Sequence, residues 1–277
     1  MFYREAGQFK TTYAADQALF PIRQDRYAML AILAIAFVGV PLFASDYWLT
    51  ALLIPFLVFS LATLGLNILT GYAGQLSLGT AAFMAVGAVG AYNFQLRIPG
   101  MPILLSFLLG GLSAAMVGIV FGLPSLRIKG FYLAVATLAA QFFIPWLVTK
   151  VGWFSNYAAS GVIAAQPIVI LGMAFDTPQK KYLLVLGIVA LLALLAKNMV
   201  RSRIGRAWMA VRDMDVAAEV IGIRILRTKL IAFAVSSFYC GVAGAVCVRL
   251  SGQCRARRIQ SRPVFPHPVH GDRRRRR

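Results

Sequence analysis

Residues 48–70 read WLTALLIPFLVFSLATLGLNILT, a run without a single charged side chain. An α-helix needs about 20 apolar residues to cross the hydrocarbon core of a bilayer, so this run predicts a membrane span. Five further apolar runs of similar character lie at 27–45, 101–124, 130–149, 182–196 and 231–248. A Gly- and Ala-rich stretch, 71–94, is a seventh candidate, which either crosses the bilayer or enters it as a re-entrant segment.

The composition points to the same class of protein. Hydrophobic residues make up 60% of the chain and charged residues 13%, whereas soluble domains average roughly half apolar and a quarter charged. No alternation typical of a barrel is visible. The sequence therefore predicts an all-α, polytopic integral membrane protein with about seven membrane segments. Its predicted parts are an N-terminal segment (1–26), a transmembrane domain (27–248) and a basic tail (249–277).

The distribution of Lys and Arg predicts the orientation, because these residues accumulate in cytoplasmic loops. Four of them precede the first span, eight lie between residues 197 and 229, and the connection around Asp46 has none. With seven spans, a cytoplasmic N-terminus places the basic-rich loops inside. We therefore expect the loop 197–229 to be cytoplasmic.

Within this loop, residues 202–223 read SRIGRAWMAVRDMDVAAEVIGI and predict one short amphipathic helix that Gly222 ends. Small or apolar residues recur at helical spacing at Ala207, Val211, Met214 and Ala218. Periodicity alone leaves two interpretations open. The helix rests on anionic lipid through its arginines, which periodicity favours, or it docks in the groove of a partner protein.

Three stretches of the chain resemble one known family. The loop pattern GRAxxAxRDxDxAAExxGI is similar to the cytoplasmic coupling loop of permease subunits of ATP-binding-cassette importers, in particular those for branched-chain amino acids. Residues 67–92, NILTGYAGQLSLGTAAFMAVGAVGAY, and 126–139, LRIKGFYLAVATLA, resemble the same family in the same order. Importers of urea and short-chain amides use close relatives, so the solute stays open between these classes.

The resemblance implies that the loop packs against a cytoplasmic ATPase subunit and passes its motion to the membrane helices. The residues implied in this contact are Gly205, Arg206, Ala207, Arg212, Asp213, Ala217, Ala218, Glu219 and Gly222. It also implies a location in the bacterial inner membrane, a second permease subunit and an external solute-binding protein. ATP would be used by the partner subunits, since the chain has no nucleotide-binding motif of its own.

Other functional classes are less well supported by the residues. We expect no enzyme activity, no cofactor and no metal site, because no catalytic or metal-ligand pattern is visible. Asp213, Asp215 and Glu219 are a carboxylate cluster, but the neighbouring arginines favour structural ion pairs. A stand-alone secondary transporter or channel is the main rival, although the spans hold almost no ionisable residue for a proton or cation relay.

The stretch GYAGQLSLG at 71–79 is the candidate translocation path. Interrupted helices in transporters present polar groups to the solute at mid-membrane depth, and close helix packing is the alternative. The residues concerned are Gly71, Gly74, Gln75, Ser77 and Gly79.

Small residues recur every four positions in the fourth apolar run, at Gly110, Ala114, Gly118 and Gly122. Such spacing predicts a helix-packing seam, which faces either another helix of this chain or a second permease subunit. The connection 155–172 is predicted to lie along the membrane interface or to contact the external solute-binding protein.

The tail changes character abruptly, and ten of the 28 Lys and Arg residues follow residue 246. A basic tail is typical of binding to anionic lipid or nucleic acid. After a seventh span it would emerge outside, which argues against both, and we expect no nucleic-acid partner. Read in a shifted frame with plausible codons, the tail becomes an apolar run that resembles the family. We therefore predict that 249–277 is a frameshift product.

Overall fold

The computed structural model describes residues 23–98, 100–127, 132–154, 163–164, 169–170, 173–174, 177–251 and 253–254. The α-helices in these ranges are α1 Arg23–Ala34, α2 Val40–Phe43, α3 Ile54–Asn67, α4 Thr80–Arg97, α5 Ile103–Arg127, α6 Tyr132–Lys150, α7 Pro178–Arg201, α8 Arg203–Asp213, α9 Asp215–Val220 and α10 Ile225–Ser251. Short π-helical turns extend the first helices at Ile35–Gly39, Trp48–Leu53 and Ile68–Tyr72.

Four strands of two residues each accompany these helices. β1 (Ile163–Ala164) pairs antiparallel with β4 (Gln253–Cys254), and β2 (Val169–Ile170) pairs antiparallel with β3 (Met173–Ala174). The architecture of the described residues is therefore set by the helices.

The apolar runs form the helices that hydropathy predicted. The helices long and apolar enough to cross a membrane are Trp48–Tyr72, Ile103–Pro124, Leu133–Lys150, Pro178–Arg201 and Ile225–Leu250. The described residues also contain the shorter apolar helix Tyr27–Phe43 and helix α4. With the five long helices, these make seven candidate membrane segments. The all-α, multi-pass prediction is confirmed, and the chain is a multi-pass membrane protein.

Helix α10 lies at the centre of the bundle. Of the most apolar stretch of this helix, 72% is buried inside the protein. The corresponding share is 22–39% in the other four long helices. It packs against α3, α4 and α5, and the outward faces of α3 and α5 stay exposed within the chain. That exposure is expected of a protein whose solvent is lipid, because apolar side chains lose nothing by facing acyl chains.

Glycines let α4, α5 and α10 cross with their backbones in contact. A side chain on Gly87 would overlap the backbone of Gly241, and one on Gly244 would overlap the carbonyl of Met84. Gly241 in turn lies against the Cβ of Ala114. Small residues at such crossings permit the close van der Waals packing that holds helices together in a membrane.

Helix α4 runs the length of the bundle. Phe83, near its start, packs edge-to-face on Phe233 near the start of α10, with ring centroids 5.5 Å apart. Asn93, near its end, donates a 3.0 Å hydrogen bond to the carbonyl of Phe154, just beyond the end of α6. The stretch 71–94 is therefore a turn followed by a traversing helix, rather than a re-entrant segment.

Several predictions fall wholly or largely outside the described residues. These concern the N-terminal segment, the connection 155–172 apart from its short strands, and the tail beyond residue 254. Helix α10 continues to Ser251, past the predicted boundary at residue 248. The frameshift origin of the tail stays a prediction.

Candidate functional site

The structure brings together two motifs that lie far apart in the sequence. The helix 48–72 ends at Tyr72, and α4 begins at Thr80 after an irregular turn. Helix α8 lies across this end of the bundle, where Arg212 Nη1 donates a 2.7 Å hydrogen bond to the carbonyl oxygen of Gly71. The predicted coupling loop and the glycine-rich stretch therefore form one site.

Gly74 makes the turn after this helix possible. Its φ of +65° lies in the left-handed region that residues with a side chain avoid. A Cβ at this position would also lie 2.7 Å from Cγ of Arg212. Only glycine thus permits both the turn and the close approach of the arginine side chain.

Arg212 is held on two sides. Its Nε donates a 2.9 Å hydrogen bond to Oδ1 of Asp213, and Nη2 lies 2.8 Å from the same oxygen. Both side chains are substantially exposed, so this ion pair adds little to stability. The bond to Gly71 is the more informative contact, because the carbonyls at a helix C-terminus carry partial negative charge that a guanidinium complements.

Trp208 fixes α8 to the bundle, although no sequence motif singled it out. Its side chain is 1% exposed, and its indole Nε1 donates a 3.1 Å hydrogen bond to the carbonyl of Thr228. Gly205, one turn earlier, lies directly against the backbone of Val200 at the end of α7. The one available signal was a large aromatic residue inside an otherwise basic segment.

The prediction of one continuous loop helix is wrong. Met214 adopts φ −152° and ψ 99°, which is extended backbone, and separates α8 from α9. Its side chain is 70% exposed, whereas Val211 and Ala218 are buried as the apolar spacing suggested. Ala207 is half-buried. The break rotates α9 relative to α8, and so removes Met214 from the shared face.

Gly222 ends the second helix, as the sequence predicted. Its φ is +88°, and its N–H donates to the carbonyl of Glu219 at 2.9 Å. The N–H of Ile223 donates to the carbonyl of Ala218 at 3.0 Å. This pair of bonds satisfies helix carbonyls in the manner of a glycine C-cap.

An apolar patch is exposed on the α8–α9 unit. It consists of Met214, Val216, Val220 and Ile221, with 70–83% of each residue accessible. The family resemblance implied a different set of residues in partner contact, and the exposed members of that set are Arg206, Arg212, Asp213, Ala217, Glu219 and Gly222. An apolar cluster rimmed by charges is typical of a surface that contacts a partner protein or the membrane.

A cavity of about 400 Å³ opens between the turn and the loop helices. Its walls include Gly74 and Ala73 on one side and the residues around Met214 on the other. Arg212, Asp213, Asp215 and Lys229 give it charges of both signs. Lys229 belongs to the first turns of α10, so three elements meet at this cavity.

The residues of the candidate translocation path occupy the turn itself. Gln75 is 6% exposed, and neither atom of its side-chain amide has a hydrogen-bond partner among the described residues. Ser77 is 7% exposed and accepts a 3.4 Å hydrogen bond from the N–H of Gly79. The N–H of Leu78 donates to Oγ1 of Thr137 at 3.0 Å, which ties the turn to α6.

The interruption lies at the end of a span, and its role in the translocation path stays a prediction. The preceding helix already has 25 residues when it ends at Tyr72, so the turn follows a complete span. Its contact with Arg212 places it at the same end as the loop helices. Gln75 therefore lies near one end of the bundle, inside the protein.

The small-residue seam faces helices of this chain. Gly110 lies against Gly87 and Ala91 of α4, and Ala114 is fully buried. Gly118 packs on Ser237, and Gly122 on Phe233, both of α10. Within the described ranges, no group of three His, Cys, Asp or Glu side chains is arranged to hold a metal ion.

A bundle of apolar helices with a basic, partly apolar loop unit at one end defines a multi-pass α-helical membrane protein. Comparison with known families narrows this class. The family described as branched-chain amino acid transport system / permease component matches residues 48–258, and the chain belongs to that family.

Two curated relatives carry the same description. The high-affinity branched-chain amino acid transport system permease protein LivM of Escherichia coli is 27% identical over 221 residues, covering 71% of this chain and 51% of the relative. LivM of Salmonella typhimurium matches with the same identity and coverage. The chain thus spans about half the length of the curated relatives it matches. No solved structure matches it significantly.

Proposed function

We propose that this chain is a membrane subunit of an ATP-driven importer of branched-chain or related amino acids. It would lie in the bacterial inner membrane with a second permease subunit, cytoplasmic ATPases and an external solute-binding protein. The chain would form part of the translocation path and leave ATP binding to its partners. Membership of the permease family and the names of the two relatives support this proposal.

The observation that carries the proposal is the apolar patch formed by α9 and the residues that flank it. Val220 and Ile221 are 83% and 73% exposed at the end of the bundle, in the loop 197–229 that carries eight basic residues. Burying one such side chain against a partner contributes about 1.5–3 kcal/mol. An ATPase subunit with an apolar groove and a charged rim fits this surface.

The alternation of the helices supports a cytoplasmic position for the patch. A Cβ at Gly122, near the end of α5, would lie 3.5 Å from Cδ1 of Leu230 near the start of α10. The basic connection after α5 and the basic loop before α10 therefore lie at one end of the bundle. Basic loops are retained on the cytoplasmic side, so we propose that the loop helices and the N-terminus lie on that side.

Co-purification tests the docking surface. The chain, tagged and co-expressed with its ATPase and permease partners, is expected to retain the ATPase through affinity purification. The double variant Val220→Asp, Ile221→Asp puts two carboxylates into the patch, and desolvating them should reduce retained ATPase at least tenfold.

Ile98→Asp is the matched control, because Ile98 is 48% exposed at the opposite end of α4. It introduces the same chemistry far from the patch and should leave ATPase retention unchanged. Equal retention by the wild-type chain and the double variant would remove the patch from the proposed interface.

A further inference from the structure

Arg212 joins the loop helices to the end of a membrane span. Its hydrogen bond to the carbonyl of Gly71 bridges residues 141 positions apart in the chain. The bond is 2.7 Å long, which is short for a nitrogen donor and typical of a charge-assisted bond. Any displacement of α8 along the membrane surface has to move Gly71 with it or break this bond.

The rest of the arginine side chain is also in contact. Gly74 lies against its stem, with room for no side chain of its own, and Asp213 orients the guanidinium from the other side. The guanidinium is planar, so hydrogen bonds to Gly71 and Asp213 at two of its edges leave the end of the side chain little freedom to rotate. Arg212 is therefore a stiff connection between the two elements.

The turn beyond Gly74 leads directly into the core. Leu78 is hydrogen-bonded to Thr137 of α6, and Gly79 lies against the backbone of the same residue. Helix α4 then packs on α5 and α10 along its whole length. Movement of the turn would therefore shift the start of a central helix.

We propose that Arg212 is a positioning residue that transmits displacement of α8 and α9 to the end of the helix 48–72 and to the turn leading into α4. This inference rests on the proposed function, because an ATPase is what would displace the loop helices. Arg212 need not touch the solute. Its role is to connect the docking surface to the membrane helices.

Hydrogen–deuterium exchange on the assembled transporter tests the connection. Exchange is measured with and without a non-hydrolysable ATP analogue, for the wild type, Arg212→Gln and Arg227→Gln. Arg227 is an exposed arginine on the first turn of α10 and supplies a control with the same change in charge. In the wild type and the control, the analogue should alter exchange in both 203–222 and 68–79. In Arg212→Gln the change in 203–222 should persist, and the change in 68–79 should be lost.

Two outcomes overturn the inference in distinguishable ways. An unaltered response of 68–79 in Arg212→Gln would show that the signal does not pass through this bond, while leaving the docking intact. No response of 203–222 in the wild type would remove the proposed function and this inference together.

If Arg212→Gln fails to assemble, Arg212→Lys keeps the charge but cannot hold Gly71 and Asp213 in the same fork. Its response in 68–79 should still be smaller than in the wild type, and an equal response would contradict the proposal.

Discussion

Trp208 shows how one side chain can fix a polar loop to an apolar bundle. It is fully buried between α8 and α10, and its indole N–H is satisfied by the carbonyl of Thr228. Small residues such as Ala207 predicted the buried face of this segment, and the largest side chain on that face belongs to no motif. A buried tryptophan contributes more apolar surface than an alanine and also bonds through its nitrogen, so we expect Trp208 to be the main anchor.

Trp208→Ala should destabilise the protein by about 3–5 kcal/mol, because it leaves a cavity and an unpaired carbonyl. Trp208→Phe keeps most of the volume and loses one hydrogen bond, so the expected loss is only about 1 kcal/mol. Thermal unfolding in detergent, followed by circular dichroism, measures both variants. Equal melting temperatures for the alanine variant and the wild type would show that α8 is not anchored through this residue.

Gly74 offers a second test at the same scale. Gly74→Ala forces a side chain into φ +65° and against Cγ of Arg212, and the strained backbone alone costs of order 1 kcal/mol or more. Gly222→Ala is a matched control, because φ there is +88° but no atom lies within 4 Å of the added Cβ. Gly74→Ala should therefore increase proteolysis or hydrogen exchange of the turn 71–79 more than Gly222→Ala does. The reverse order would argue against the contact with Arg212.

At the scale of elements, the membrane spans were predictable and the relation between them was not. Apolar runs identify spans because every backbone group in lipid has to be bonded within the helix. The break at Met214 is different, since α8 is held by Trp208 and Arg212 to helices far away in the chain. No local pattern in the loop reports those distant contacts. The same holds for the meeting of Arg212 with Gly71.

The close crossing of α5 and α10 predicts that alanine destabilises the protein at Gly241 but not at Gly187. In Gly241→Ala the new methyl group meets the Cβ of Ala114, whereas in Gly187→Ala it has no neighbour within 4 Å. Overpacking at the crossing should cost about 1–3 kcal/mol, while alanine at Gly187 should be neutral or slightly stabilising through helix propensity. Unfolding in mixed detergent micelles compares the two. A neutral Gly241→Ala would mean that α5 and α10 do not pack as closely as described.

For the whole molecule, composition predicted a multi-pass α-helical membrane protein. The resemblance of three stretches predicted the branched-chain amino acid permease family, which the family match confirms. Neither predicted which residues of the glycine-rich stretch face solute. Gln75 and Ser77 remain candidates for the translocation path, but they lie in a turn at the end of a span rather than at its middle. The structure instead gives that turn a place in the connection between the loop helices and α4.

Coupling of transport to ATP is the central claim of this account. The assembled transporter, reconstituted in proteoliposomes with its partners, is given radiolabelled leucine and the solute-binding protein on one side and ATP on the other. Ionophores collapse all ion gradients, and urea replaces leucine in a parallel series. We predict leucine accumulation that requires ATP and survives the ionophores. Uptake that continues without ATP and stops with the ionophores would contradict the account, and would indicate a secondary transporter.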